Sequence, residues 1–517
     1  MMKLVFSALV FLGLLGAADA PLPDRAAARF LDQATWGPTP ASITQLQQQG
    51  FAAWLQAQFA LKTSDLPDQP LFNGAGKNNN DLRPVQAAFF QNAVTGQDQL
   101  RQRVAFALSQ IWVVSAESGV PEAYAYPPYW RIFRDNAFAN YRDVIKAATL
   151  SPAMGRYLNM ANNNKGNTAK GTAANENYAR ELMQLFTLGL TQLHPDGTPV
   201  LDQNNHPMVT YDQAVVTNLA KAFTGWTYPT APGAIAKNNN PAYYIGQMLA
   251  VEANHDITQK TIFGGDVIAA AQTAEQDLDT VIADLMKQPT MAPFVSQQLI
   301  QHLVTSNPSP GYIGRVSSVF TNDGNGVRGN LQAVIMAILT DPEARAADDP
   351  NSAPAANFGH LREPVLLMAN LLRGLNASLS AASTIYYDTM NMGQNLFYSP
   401  SVFSYFSPQY RTEKGLLGPE FQIYSTSTVS QRADIVNSIL YGTLDKGTKV
   451  NLEPFLQQDG NFQLMLDYIS YVFLHHSMSS DLQGAAVEAA RAATTSQAQV
   501  QAALYIVLTS GEYQVIQ

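Results

Sequence analysis

The amino-acid sequence predicts an all-α globular fold, a multi-helix bundle with one small β-hairpin insertion. Hydrophobic residues make up 46% of the 517 residues, which is enough to bury a large core. Apolar residues recur at i, i+3, i+4 and i+7, the spacing of amphipathic helices. Clear strand signals are scarce, and the best lies in residues 191–210, where Asp196-Gly197 and Asn204-Asn205 supply turns.

The first 20 residues have the pattern of a secretory signal peptide. Lys3 precedes an apolar run over residues 4–15, and small residues follow it. Cleavage after Ala18 and cleavage after Ala20 are both open, because Pro21 is a poor residue to follow a cleavage site. The pattern predicts a secreted or periplasmic protein. No later segment approaches about 20 uninterrupted apolar residues, so we expect no membrane span after signal removal.

Charge and cysteine content exclude several classes of protein. The chain has 31 Lys and Arg against 40 Asp and Glu, and its net charge is -9. An acidic protein has no electrostatic reason to bind nucleic acid, so neutral or cationic partners are expected. The sequence contains no cysteine, which excludes disulfides, thiolate metal sites and a catalytic cysteine.

Helix signals continue through the whole chain. The clearest apolar repeats are residues 100–115, 293–306 and 462–476. Helix starts are predicted at the capping boxes Thr210 with Gln213 and Thr273 with Gln276, and at Ser151-Pro152. A Pro, Ala and Asn-rich run at 346–357 is the best candidate linker. It predicts a main helical domain over 21–350 and a C-terminal helical part over 351–517 that is able to share the same core.

Several segments resemble a secreted bacterial family, domain of unknown function 1800. They include "RFLDQATWGPT" (29–39), "TYDQAVVTNLAKAFTGWTY" (210–228), "HDITQKTIFGG" (255–265) and "LREPV" (361–365). The resemblance implies an exported, mainly helical protein that is often encoded beside a second secreted family, domain of unknown function 1501. It implies no reaction, so candidate site residues are predicted from their chemistry alone.

The segment "NENYARELMQLFTLGL" (175–190) places charges in an otherwise apolar helix. Glu176 and Arg180 form one i, i+4 pair, while Glu181 lies about 140° around the helix from Glu176. One interpretation is structural, with Glu176 paired to Arg180 and Glu181 held by Arg101, Arg103 or Arg156. The functional interpretation makes Glu176 or Glu181 an acid or base at a cleft, with Arg180 as a supporting charge.

A polar loop over 252–260 supplies a third candidate group. His255 is placed to act as a general base near neutral pH, with Lys260 as a supporting charge. The alternative is that His255 caps the next turn or bonds a backbone carbonyl. His302 lies inside the apolar helix 293–306 and is predicted to be a core residue.

Aromatic residues are dense in two stretches that Pro and Ser interrupt, 123–133 and 397–410. Tyr and Trp side chains on loops suit sugar rings or a protein partner, although packing over the core is the alternative. The predicted substrate-binding residues are Tyr129, Trp130, Trp226, Tyr398 and Tyr405. No metal site and no cofactor are predicted, with an irregular Ca²⁺ site at Asp323 and Asn325 kept as an alternative.

Two functional hypotheses follow. The first is an acid/base hydrolase or lyase that acts on an extracellular polymer such as a polysaccharide, with Glu176 or Glu181 acting together with His255. The second is a non-catalytic exported module that binds or assembles with a partner protein or an envelope polymer. The co-encoded secreted protein implied by the resemblance is a candidate partner.

Overall fold

Helices make up most of the regular structure in the computed structural model, which describes residues 22–349, 351–352, 354–458, 461–476 and 478–517. The predicted signal peptide lies outside the described residues. No helix within those ranges is both long and apolar enough to cross a membrane. The expectation of a mainly α-helical fold is confirmed.

The part of the chain before residue 350 supplies fourteen of the α-helices of the described ranges. They are α1 (Asp24–Ala34), α2 (Pro40–Ala60), α3 (Arg83–Thr95), α4 (Gln99–Ile111), α5 (Tyr126–Asn136), α6 (Tyr141–Thr149), α7 (Pro152–Tyr157), α8 (Asn177–Glu181), α9 (Gln213–Ala222), α10 (Ala274–Leu285), α11 (Met291–Leu303), α12 (Pro310–Thr321), α13 (Leu331–Thr340) and α14 (Pro342–Arg345).

The remaining α-helices follow residue 360. They are α15 (Pro364–Gly374), α16 (Ile385–Asn391), α17 (Thr426–Leu440), α18 (Glu453–Leu456), α19 (Phe462–Phe473), α20 (Ser480–Arg491), α21 (Ser496–Thr509) and α22 (Gly511–Gln514). Short 3-10 helices span Ala123–Ala125, Thr168–Lys170, Glu252–Asn254, Phe263–Gly265 and Pro419–Ile423.

Every strand in the described residues is two residues long. The strands are β1 (Trp226–Thr227), β2 (Leu249–Ala250), β3 (Lys260–Thr261), β4 (Val267–Ile268), β5 (His360–Leu361), β6 (Ser378–Leu379), β7 (Thr448–Lys449) and β8 (Val515–Ile516). They form the antiparallel pairs β1-β2, β3-β4, β5-β8 and β6-β7. The pair β5-β8 joins the segment after residue 360 to the last residues of the chain.

The predicted hairpin insertion contains three strand contacts and two tight turns. Antiparallel bridges join Thr191 to Val209, Leu193 to Pro199 and Leu201 to Pro207. Backbone hydrogen bonds form a closed ring among three residues, in which the N-H group of residue 192 donates to 208, that of 208 to 200 and that of 200 to 192. The insertion is therefore a compact set of turns held by isolated antiparallel bridges, without a regular strand.

Helix starts and regularity differ from the sequence prediction at two places. Helix α9 begins after Asp212, whose carboxylate accepts from the Val215 N-H, so the predicted Thr210 box does not form. The expected single helix over 175–190 ends as an α-helix at Glu181 and continues as a π-helix over Leu182–Thr187. The capping box of Thr273 with Gln276 opens α10 as predicted.

One continuous cluster of buried apolar side chains includes residues from both predicted parts of the chain. Helix α15 is buried along its whole length, and nearly all of α4 is buried too. A helix that is buried on all faces has neighbours on every side, which explains why both lack a wide polar face. The boundary near residue 350 stays a prediction, while the C-terminal helices share this core.

Candidate functional site

Glu176 lies just before α8 and is held by three side chains. Its carboxylate accepts from Gln213 Nε2 at 2.9 and 3.0 Å, from Thr217 Oγ1 at 2.8 Å and from Arg180 Nη2 at 3.0 Å. Its burial acts to raise the pKa of Glu176, but these hydrogen bonds and the Arg180 charge lower it below the ordinary value. The predicted pair with Arg180 forms, and it is half-exposed.

Glu181 is half-buried, and its Oε2 atom has no hydrogen-bond partner among the described residues. Burial raises the pKa of Glu181, while the Arg180 charge opposes this. The three arginines expected to hold Glu181 bind backbone carbonyls elsewhere. Arg101 donates to Arg134 and Phe59, Arg103 to His302, and Arg156 to Gly119. Glu181 thus keeps a free carboxylate oxygen.

His255 is completely buried, and both of its ring nitrogens are engaged. Nδ1 lies 2.9 Å from the Thr224 carbonyl oxygen, and Nε2 lies 3.2 Å from Asp277 Oδ2. Lys260 Nζ lies 2.8 Å from the same Oδ2 atom. The structure thus joins His255 and Lys260 through Asp277 on α10, a partner that the sequence interpretation missed. His255 has no open face from which to reach a substrate.

The predicted substrate-binding aromatics lie mostly inside the protein. Tyr129, Trp130, Trp226 and Tyr405 are buried, and Tyr398 is half-buried. The loop expected around Tyr129 and Trp130 is instead α5, because the prolines after Tyr126 occupy the first turn, where their missing N-H groups cost nothing. Tyr129, Trp130 and Tyr405 line an internal cavity of about 30 Å³.

At the alternative calcium site, the carboxylate oxygens of Asp323 accept hydrogen bonds from residues of the same loop. Asp323 accepts from the N-H groups of Asn325 and Val327 through Oδ1, and from Asn330 Nδ2 through Oδ2. These contacts are those of an ordinary Asx turn. Across the described ranges, no group of three His, Asp or Glu side chains has an arrangement that fits a metal ion.

An open groove of about 590 Å³ lies beside the paired strands β5 and β8. One wall is the loop over 356–361, and the other is the turn over 410–417 with the 3-10 helix Pro419–Ile423. Four aromatic side chains line it, namely Phe358, Tyr410, Phe421 and Tyr424. Its size and its mixture of rings and polar groups are typical of ligand-binding clefts.

His360, which helps to line this groove, contacts the buried Glu420, which does not line it. His360 Nδ1 lies 3.6 Å from Glu420 Oε1, and Ser306 Oγ lies 3.5 Å from Glu420 Oε2. Their side chains are 2% and 7% exposed, and His360 Nε2 has no hydrogen-bond partner within the described chain. Long contacts of this kind are common in unliganded active sites and shorten when substrate binds.

A buried ion-pair network fixes the backbone beside His360. Arg362 donates to both carboxylate oxygens of Asp32 at 2.7 and 2.6 Å, and to the Tyr513 carbonyl at 2.8 Å. Asp32 also contacts His475 Nε2 at 3.0 Å. Burial acts to raise the pKa of Asp32, but the Arg362 charge and these hydrogen bonds hold it well below the ordinary value.

Glu363 follows Arg362 and points to the opposite side of the segment. Gln110 Nε2 donates to it at 2.9 Å, and Gln394 Nε2 donates to its other oxygen. Burial raises the pKa of Glu363, against the lowering effect of the Arg103 charge. The two anchored side chains, Arg362 and Glu363, hold the strand that presents His360 to the groove.

The sequence pattern did not single out His360 or Glu420 as candidate site residues. The one signal in the sequence was the clustering of the ionisable residues His360, Arg362 and Glu363 within the stretch "HLREPV". Three ionisable groups so close to a buried helix require partners or a function. Glu420 gave no comparable signal, because its role depends on a contact across 60 residues of chain.

The family comparison covers nearly all of these residues. A family model described as "Protein of unknown function (DUF1800)" matches residues 29–515. The chain belongs to this family. The matched region of this DUF1800 protein includes the groove, His360 and Glu420. Comparison with curated proteins gave no match, and comparison with solved structures gave none either.

Proposed function

We propose that this DUF1800 protein is an exported acid–base enzyme, a hydrolase or lyase, that acts on an extracellular polymer such as a polysaccharide. The observation that carries the proposal is the contact between His360, which helps to line an aromatic-lined groove, and the buried Glu420. An extended groove suits a segment of polymer, and aromatic rings suit the C-H faces of sugars. Export rests on the signal pattern of residues 1–20.

In this proposal His360 is the catalytic residue and Glu420 is a positioning residue. Glu420 lies on the Nδ1 side of the ring and favours the tautomer and the orientation in which Nε2 faces away from it. Nε2 then takes a proton from the substrate or from water, and the neighbouring carboxylate stabilises the imidazolium that forms. The same ring returns the proton to the leaving oxygen.

The test is a screen for fragments released from neutral polysaccharides by the purified mature chain. New reducing ends report hydrolysis, and ultraviolet absorbance of unsaturated ends reports elimination. We expect His360→Asn to lower the release rate by about 10²- to 10⁴-fold, the usual contribution of one acid–base group. His206→Asn is the matched control, because the His206 side chain is 78% exposed. Equal rates in both variants would contradict the proposal.

The second candidate is a non-catalytic module that binds an envelope polymer or a secreted protein from a neighbouring gene. The low exposure of His360 and Glu420 favours it, because a substrate must shift the groove floor to reach them. This candidate predicts retention on immobilised polymer or partner with no fragment release. It also predicts that His360→Asn leaves the retention unchanged.

A further inference from the structure

A short segment between α11 and α12, residues 305–307, joins the two walls of the groove. We call it the bridge segment. The loop wall is the loop over 356–361, and the turn wall is the turn over 410–417. Two residues of the bridge segment, Ser306 and Asn307, line the groove between these walls. The attachments of the bridge segment therefore set the distance from one wall to the other.

The loop wall is attached to the bridge segment through Gly359. The Ser306 N-H donates to the Gly359 carbonyl at 3.0 Å, and the Gly359 N-H donates to Thr305 Oγ1 at 2.9 Å. Gly359 has a φ of 102°, and a Cβ at this position would overlap the carbonyl oxygen of Ile516 in β8. The loop wall is thus held by the bridge segment on one side and by β8 on the other.

The turn wall is attached to the bridge segment by one side chain, that of Asn307. Asn307 Nδ2 donates to the Leu417 carbonyl at 2.8 Å, and the Leu417 N-H donates to Asn307 Oδ1 at 2.9 Å. The amide therefore takes the place of a neighbouring strand. Among the described residues, no other hydrogen bond joins 411–417 to the rest of the chain.

The turn wall is closed by its own hydrogen bonds. The Thr412 N-H donates to the Leu416 carbonyl at 2.9 Å. The Gly415 carbonyl accepts from Arg411 Nη1 at 2.7 Å. Because these bonds hold the turn together, it moves as one unit when it is not attached to Asn307. The spacing of the walls then depends on Asn307.

This spacing decides which polymer chain the walls are able to contact. Phe358 lies on the loop wall and Tyr410 on the turn wall. A ring gains contact energy when the atoms of a sugar lie about 3.5–4.0 Å from it. A gap of about 0.5–1 Å removes about a quarter to a half of that energy. Walls at a fixed spacing therefore bind best a chain of one thickness.

The charges on the groove lining favour an uncharged chain. Among the described residues, Glu413 and Lys414 are the only Asp, Glu, Lys or Arg side chains that line it. They are exposed neighbours on the turn wall, and their charges are opposite. A lining in which the fixed charges cancel has no electrostatic preference for an anionic or a cationic polymer.

We propose that Asn307 holds the turn wall at a fixed distance from the loop wall, and that this distance selects an uncharged, unbranched polymer chain. The inference rests on the proposed function, in which the groove binds a polymer. Asn307 is a positioning residue, because its amide binds Leu417 and acts on the polymer through the wall. A branch that enters the groove must push the turn wall away and break both hydrogen bonds of Asn307.

The first test measures the spacing of the walls without catalysis. The sequence contains no cysteine, so Asn357→Cys and Lys414→Cys place one spin label on each wall. We expect one narrow distribution of label distances, and a broader one after Asn307→Ala. The matched control is Asn322→Ala, because Asn322 Oδ1 also accepts from two backbone N-H groups, in a loop outside the groove. An unchanged distribution in Asn307→Ala overturns the inference.

The second test compares two ligands by calorimetry, cello-oligosaccharides, which are unbranched, and xyloglucan oligosaccharides, which carry xylose branches on the same backbone. We expect the wild type to prefer the unbranched ligand. Asn307→Ala should bind that ligand about 10-fold more weakly and lose most of the preference, because the turn must then be ordered on binding. The same preference in both proteins overturns the inference.

The kinetic readout separates positioning from catalysis. In fragment release, we expect Asn307→Ala to raise KM and to leave kcat unchanged, because the wall contacts the polymer equally in the ground state and in the transition state. Asn307→Asp keeps the acceptor for the Leu417 N-H and should give an intermediate KM. A fall in kcat with KM unchanged overturns the positioning role.

The outcomes distinguish this inference from the proposed function. Equal affinity of the wild type for branched and unbranched ligands overturns the selection role, while fragment release would keep the proposed function. Absence of binding to both oligosaccharides also overturns the selection role, and release from another polymer would still keep the proposed function. A preference for the unbranched ligand without fragment release from any polymer overturns the catalytic proposal and keeps the selection role.

Discussion

The molecule contains two histidine–carboxylate pairs that differ in what surrounds them. His255 faces Asp277, and its other nitrogen lies against a backbone carbonyl, with Lys260 on the same carboxylate. His360 faces Glu420, and its other nitrogen has no partner in the described residues. The first pair is completely buried between α9, β3 and α10, and the second is nearly buried beside an open groove that His360 helps to line.

This difference shows that a histidine near a carboxylate is not by itself a functional signal. A ring whose two nitrogens are both engaged is fixed as a structural link, because any proton transfer would break a buried contact. The His360 ring has one unpartnered nitrogen, buried beside a groove, so it is able to act as a general base once a substrate shifts the residues that cover it. The four predictions below test the contrast, from the largest effect to the smallest.

Asp277→Asn should have the largest effect, and on stability. Removing this carboxylate leaves Lys260 as a buried cation without its partner, so the free energy of unfolding should fall by about 3–5 kcal/mol. Urea denaturation measures this free energy of unfolding. Asp279→Asn is the matched control on the same helix, because its pair with Lys146 is about half exposed and worth less than about 1 kcal/mol. Equal losses of unfolding free energy in the two variants would show that the buried pair has no special role in stability.

Glu420→Gln should act on catalysis rather than on stability. Loss of the carboxylate that orients His360 should lower fragment release by about 10²-fold, or about 2.7 kcal/mol. The loss should appear in kcat with KM unchanged, because Glu420 acts on His360 and not on the bound polymer. A residue that only stabilises the fold would not change kcat in the folded fraction. Glu488→Gln, at an exposed position on α20, is the control.

His302 should make the folded state less stable in acid. The unfolded chain takes up a proton near pH 6.5, whereas the pKa of His302 in the folded state is about 3. This contribution is fully present above pH 6.5 and is lost as the pH falls toward 3, by at most about 1.4 kcal/mol per pH unit. His302→Gln should flatten the dependence of unfolding free energy on pH in that window. An unchanged slope would show that His302 titrates normally.

Tyr410→Ala should have the smallest effect, a loss of polymer binding in the groove. Tyr410 is 37% exposed and lines the groove, so removing its ring should cost about 0.5–1.5 kcal/mol of binding free energy. Calorimetry with oligosaccharides measures the change. Tyr441→Ala removes a ring that is 50% exposed and does not line the groove. Equal affinities for both variants would exclude the groove as the binding surface.

The sequence was sufficient to predict the helices but not the site. Helical periodicity and the capping box of Thr273 are local features, and both agree with the structure. Whether a side chain is buried depends instead on contacts between segments that are distant in the sequence. The polar loop around His255 gave no sign that Asp277 would pack against its ring, and Pro127-Pro128 looked like a loop although it opens α5.

The groove could not be predicted because its parts come from distant segments. His360 belongs to β5, Glu420 to a 3-10 helix, and the wall at Val515 to the last strand. Each segment alone reads as ordinary helix flank or turn. The proposed acid–base pair rests on the contact between His360 and Glu420, and that contact is a property of the tertiary structure.

The most direct test of the contrast is one experiment on His255→Asn and His360→Asn, in which thermal unfolding and fragment release are measured on the same samples. We expect His255→Asn to lower the unfolding temperature while the folded fraction keeps its activity. We expect His360→Asn to keep the unfolding temperature and to lose release by about 10²-fold or more. Full release by His360→Asn, or loss of release by fully folded His255→Asn, would contradict the account.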